Sequence, residues 1–195
     1  MRTRNLLIAA WAILAMIPGL AAAATWEIDK PHSGVAFAIR HLGISNVKGS
    51  FGDFSGSISF DEENLEGGSV SITVKAASVN TENEKRDEHL RSADFFDVEK
   101  HPDIVFKSTK IVKGEEGWVL HGLLDIMGVE RPVEIPFEHL GTVQDPWGGT
   151  RAGFEGRVVL TREEFGVGWK DVKFRPPLIG NEVTLTLSLE LVKKG

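Results

Sequence analysis

The chain contains no cysteine. That absence excludes a disulfide framework, thiolate metal ligands and a lipid-bearing cysteine after an export signal. It also lacks a basic tract, and its acidic balance argues against nucleic acid or an anionic lipid surface as a partner. The histidines His32, His41, His89, His101, His121 and His139 show neither HxH nor HExxH spacing, so no metal-ligand set is legible. His32 and His41 bracket one strand and stand about 30 Å apart if it is extended, too far to share an ion. No G-x-S-x-G elbow occurs, and serines such as Ser57, Ser59, Ser71 and Ser108 fall at alternating strand positions, which leaves nucleophilic catalysis unsupported. No glycine-rich turn leads into a long helix, so a nucleotide has no structural home.

What is present begins with MRTRNLLIAAWAILAMIPGLAAAA, which runs from two arginines through an apolar stretch to a Pro-Gly break and small residues. This order is that of a secretory signal peptide over residues 1–24, with cleavage expected after Ala23 or Ala24. The apolar part, Leu6 to Ile17, is short of the roughly 20 residues a membrane helix needs. Removing Arg2 and Arg4 leaves 20 basic against 28 acidic side chains, a net charge of −8. Residues 25–195 are then expected to form one soluble domain, long enough to bury its own core.

Period-two alternation dominates that domain. NEVTLTLSLELV places Val183, Leu185, Leu187, Leu189 and Leu191 on one face and Glu182, Thr184, Thr186, Ser188 and Glu190 on the other, the pattern of an antiparallel strand with one dry side. GVAFAIRH, FSGSISFD, SVSITVKAASV, DIVFKSTKIV, GWVLHGLLDI, RPVEIPFEH and AGFEGRVVLT read similarly, giving eight strands. Pro132 and Pro136 predict an edge, a bulge or a bend in theirs. Eight one-sided strands favour closure into an all-β antiparallel barrel, because closure removes exposed edges. A sandwich of two four-stranded sheets stays open as the alternative.

One segment reads as helix. Thr81 with Glu84 three residues later forms a capping box ahead of EKRDEHL, and Glu82–Arg86 and Asp87–Arg91 have the spacing of paired neighbours. A short helix between the third and fourth strands is predicted. The run Arg86, Asp87, Glu88, His89 looks catalytic, with His89 as base, Asp87 orienting it and Arg86 facing an anion. Consecutive helical side chains, however, point about 100° apart, so the run is read instead as a capped helix whose Leu90, Phe95 and Phe96 cover one barrel end.

SGVAFAIRHLGISNVKGSFGDFSGSISFD, SVNTENEKRDEHLRSADFFDVEKHPDIVFKSTKI and HGLLDIMGVERPVEIPF together resemble the YceI-like family of periplasmic polyisoprenoid-binding proteins, RDEHLRSADFFDVEKHP most specifically. The resemblance covers essentially the whole chain after residue 24. It implies a lipocalin-like eight-stranded barrel holding a long isoprenoid, in the periplasm, that binds or carries lipid without turning it over. One departure stands out: where the family commonly has L-T-x-x-G-V-T, this chain reads LDIMGVE, with Asp125 and Glu130 in the threonine places.

By alternation the inward set is Phe37, Ile39, Phe54, Ile58, Ile72, Val74, Phe106, Leu120, Ile135, Phe137, Phe154, Leu185 and Leu187. It is either a filled core or the wall of a cavity, and the resemblance implies the cavity and makes these the ligand-binding residues. GVGWKDVKFRPPLIG, residues 166–180, is either a lid, with Lys170, Lys173 or Arg175 at the polar end of a lipid, or a plain connection. The ligand expected is an isoprenoid quinone or other prenyl-chain lipid, with no cofactor, no metal and no catalytic residue. Three readings stay open: an enzyme using His89 or His32 as acid or base, a homodimer or other partner joined through strand edges, and a membrane-protein donor or acceptor for the lipid.

Overall fold

The protein is described here by a computed structural model covering residues 23–168 and 178–194. Its strands are β1 (Ala24–Ile28), β2 (Gly34–His41), β3 (Ser45–Phe51), β4 (Phe54–Asp61), β5 (Asn64–Lys75), β6 (Val79–Asn80), β7 (Asp103–Gly114), β8 (Gly117–Ile126), β9 (Val129–Gln144), β10 (Thr150–Thr161) and β11 (Ile179–Lys193). The single α-helix among the described residues, α1 (Glu84–Arg91), lies between β6 and β7. All eight strands read from the alternation are present. β1, β3 and β6 are additional, each too short or too polar to alternate visibly.

Closure settles the choice between barrel and sandwich. Eight strands form an antiparallel ring in the order β1-β4-β5-β7-β8-β9-β10-β11, and β1 returns to β11. The long β11 serves two neighbours in turn: residues 191–193 pair with β1, while residues 179–188 pair with β2. β3 and β6 continue from β2. The wall beside β11 is thus made of β1 near one end of the barrel and of β2 towards the other.

The two prolines of β9 behave as an edge, not as a bulge. Pro132 and Pro136 keep regular register with Leu123 and Val119 of β8. Pairing of β9 with β10 begins only at Phe137, so neither proline is asked for an N–H it lacks. The departure at LDIMGVE also has a local explanation. The Asp125 carboxylate accepts from the backbone N–H of Gly128 at 2.9 Å, bracing a β8–β9 turn whose Met127 and Gly128 have φ of 55° and 74°.

One end of the ring is sealed by aromatic packing. Trp26 is 1% exposed, stacks on Phe60 with centroids 4.5 Å apart, and donates its indole N–H to the Phe60 carbonyl. Phe154 meets Phe60 edge-on at 5.4 Å, and Leu65, Ile111, Ala152 and Leu191 are buried in the same cluster. Arg151 lies on β10 next to this end and is ion-paired to Asp29, Asp145 and Glu190.

The opposite end is covered by α1, the turns after it, and a 3-10 turn at Arg162–Phe165. The helix forms where expected but is capped differently. Asn83 is its N-cap, accepting from the Arg86 N–H at 3.0 Å, and Thr81 lies outside the helix. Asp87 is buried and turns back to accept from both the N–H and the hydroxyl of Thr81, at 2.9 and 2.6 Å. The expected Glu82–Arg86 and Asp87–Arg91 pairs do not form. Glu82 precedes the helix at φ 62°, Arg86 binds Thr81, and Arg91 reaches the carbonyls of Ala77 and Val79. Tertiary acceptors near the helix outcompete solvent-exposed pairs worth only a few tenths of a kcal/mol, roughly.

Candidate functional site

Inside the ring lies a cavity of about 490 Å³, within the range of small-molecule sites. Its wall is built by the strand alternation. On β10 and β11 the facing positions Phe154/Leu189, Gly156/Leu187 and Val158/Leu185 are in register and all border it. Of the thirteen inward positions, Phe37, Ile39, Ile58, Ile72, Val74, Phe106, Leu120, Ile135, Phe137, Phe154, Leu185 and Leu187 border the cavity. Phe54 does not; it is 4% exposed and buried in the core cluster. Alternation places a side chain on the inner face but does not say whether it meets a neighbour or empty space.

Several wall residues are only partly buried, including Phe37, Ile39, Ile72, Leu120, Phe137, Leu185 and Leu187. A filled barrel of this strand number would bury them against one another. Here they keep apolar surface facing an interior space, which is the structural mark of a ligand cavity.

The α1 segment contributes to that wall. Leu90, Phe95 and Phe96 border the cavity, and Phe95 belongs to a cluster with Phe106, Leu124, Ile135, Phe165 and Val167. The sequence reading of a cover over one end agrees with this placement. Of the segment 166–180, Val167, Leu178 and Ile179 border the cavity; residues 169–177, with Lys170, Lys173 and Arg175, lie outside the described residues.

Polar residues on the wall are few. Ser59 and Glu155 occupy register positions that alternate with inward neighbours, and Glu155 is exposed. The other five, His41, Thr81, Arg86, His89 and Arg162, border the cavity from the α1 end. Strand alternation does not reach Arg86, which lies in α1, or Arg162, which opens the 3-10 turn after β10. Arg86 donates Nε to the Thr81 hydroxyl at 2.6 Å and Nη2 to the Thr81 carbonyl at 2.7 Å. Arg162 donates Nε to the Gly180 carbonyl and Nη1 to the Val167 carbonyl, at 2.9 and 2.8 Å, and burial pulls its pKa below the ordinary arginine value.

These groups do not assemble into an acid–base pair on one substrate position. His89 Nε2 lies 3.0 Å from Asp94 Oδ2, with Phe95 edge-on against its ring. Asp87, which would have oriented it, is bound to Thr81 instead. His32 is exposed beside Asp29 at 3.1 Å and does not border the cavity. Asp29, His32 and Glu190 bring potential ligand atoms within 4.8 Å of one another, but Arg151 already bridges the two carboxylates. His121 faces away from the cavity, 3.2 Å from Glu134.

A YceI-like domain is matched over residues 26–191. A UPF0312 protein of Pseudomonas paraeruginosa is 41% identical over 178 residues, covering 90% of this chain and 91% of its own. The crystal structure of the Campylobacter jejuni YceI protein superposes with a TM-score of 0.71 at 34% identity, covering 80% of this chain and 90% of that one. A polyisoprenoid binding domain from Saccharophagus degradans, implicated in plant cell wall breakdown, shares the fold at a TM-score of 0.66 and 15% identity, over 88% of this chain and 99% of that one.

Proposed function

Since the chain belongs to the YceI-like family, we propose that it is a non-covalent carrier or store of a polyisoprenoid lipid, held inside the barrel and working in the periplasm. The observation that carries this reading is the apolar cavity whose wall residues keep surface unburied. Transfer of apolar surface out of water is worth roughly 25 cal/mol per Å², so a long prenyl chain could bind tightly with few polar contacts. Selectivity would follow length and shape, since one methylene discriminates by only about 1–3 kcal/mol. A set of related chains, quinones or other prenyl compounds, would bind rather than a single lipid.

The polyisoprenoid-binding neighbour supports an apolar ligand, and the expected signal peptide over residues 1–24 supports export. The scattered histidines favour binding over turnover. The protein, purified without detergent from its host and extracted with organic solvent, should release a prenyl lipid identifiable by mass spectrometry at near-stoichiometric yield. Recovery of protein with no bound lipid, and no uptake of added prenyl lipid, would sink the reading.

A further inference from the structure

Arg162 is a charged side chain that the fold keeps 9% exposed on the wall of an otherwise apolar cavity. A guanidinium carries five N–H donors. Two are used, by the carbonyls of Gly180 and Val167, and these tie the 3-10 turn to the start of β11. Nη2 is left with the Glu163 carboxylate at 3.7 Å, beyond hydrogen-bond reach, on a side chain that is 54% exposed. No other acceptor for Nη2 is found among the described residues.

A buried cation is costly unless an anion or a full set of acceptors meets it. Of the other arginines with tertiary bonds, Arg91 is also held by carbonyls but does not border the cavity, and two are compensated. Arg151 has three carboxylates, and Arg86 shares the Thr81 hydroxyl with the Asp87 carboxylate. Arg162 alone of these three combines burial, cavity exposure and spare donors. Among the described residues, the one carboxylate bordering the cavity is Glu155, which is exposed and alternates with the inward positions of β10.

We propose that Arg162 is the head-group site of the cavity, holding the anionic oxygens of a phosphate or carboxylate on a single-chain apolar ligand. The ligand then lies with its head at the α1 end and its tail towards the Trp26–Phe60 seal. A planar fork suits either oxyanion. This assignment rests on the reading that the cavity holds a lipid, and it specifies that lipid's polar end and its direction.

The test compares probes that share a chain and differ in head: geranylgeranyl monophosphate against geranylgeraniol, and palmitate against hexadecanol, titrated into the lipid-stripped protein. The wild type should bind the phosphate or the carboxylate about 10- to 100-fold more tightly than the matching alcohol, the range that charge-assisted hydrogen bonds support. Whichever pair shows the larger ratio identifies the head group. Arg162→Met should bring the ratio to about 1, chiefly by weakening the charged probe, and Arg162→Lys should retain an intermediate ratio. Equal affinity for charged and neutral probes in the wild type overturns the head-group site and leaves the apolar cavity reading intact. Failure of all four probes overturns both. If Arg162→Met does not fold, the wild-type ratio and its decrease in Arg162→Lys decide; an undiminished ratio in Arg162→Lys overturns the assignment to this side chain.

Discussion

At the residue scale, the placement of a cavity-wall ring depends on a position kept small. A Cβ on Gly122 would stand 2.4 Å from the Phe106 ring and 2.5 Å from the Lys107 carbonyl oxygen. Phe106 borders the cavity, so its ring is set by the absence of a side chain on the next strand. Gly122→Ala should therefore cost about 1–3 kcal/mol by overpacking, measured as a lower urea midpoint at unchanged m-value. The sequence marks Gly122 only as a glycine within a strand. That it yields space to a ring on β7 is a fact of sheet register, Ser108 facing Gly122, and no local pattern carries it.

At the element scale, the α1 segment shows how far a motif can be read. Its helical character and its covering role are legible in EKRDEHL and the following apolar residues. Its capping is not, because Thr81 and Glu84 meet the spacing of a capping box while Asn83 lies closer to the helix and takes the cap. Asp87 instead satisfies the buried N–H and hydroxyl of Thr81. Asp87→Ala should then lose about 1–3 kcal/mol, because a buried donor is left unmade. Asp87→Asn, which keeps an acceptor oxygen, should lose less. Hydrogen exchange at the Thr81 amide is the direct readout, and equal protection in both variants would contradict this role for the carboxylate.

On the scale of the whole molecule, closure and charge decide stability. Asp29, Glu190 and Asp145 come from three separate parts of the chain and meet at Arg151. Hydrogen bonding to Arg151 holds the carboxyls of Asp29 and Asp145 below the usual aspartate range. Groups depressed in this way bind fewer protons folded than unfolded, so their contribution is present above the unfolded value of about 4 and fades as pH falls through the folded values. Arg151→Gln should be less stable than wild type at pH 7, and the gap should narrow below about pH 4, as followed by urea denaturation at each pH. A constant gap from pH 7 to pH 3 would rule the ionic hub out as the cause.

The cavity makes a second prediction for the molecule as a whole. Wall side chains that face space forgo packing contacts, and a ligand that binds only the folded state adds stability by mass action, about 2.7 kcal/mol at a hundred times its dissociation constant. For a chain of this length each kcal/mol moves the midpoint by about 2–4 °C. Lipid-stripped protein should melt several degrees lower than the same protein reloaded with a prenyl lipid, in scanning calorimetry. Identical melting curves would count against binding in the interior.

By itself the sequence determined the antiparallel strands, the inner face of most of them and the position of the helix, because period-two alternation and turn residues are local consequences of burial on one side. Alternation favoured the barrel without excluding the sandwich, and it did not separate a filled core from a cavity. Only the tertiary structure decided among them, since closure depends on β1 reaching both β4 and β11. The same holds for the polar end of the cavity. Arg162 reads as an ordinary charged residue at a strand's end, and its burial against the carbonyls of Val167 and Gly180 follows from a turn and a distant strand meeting in space.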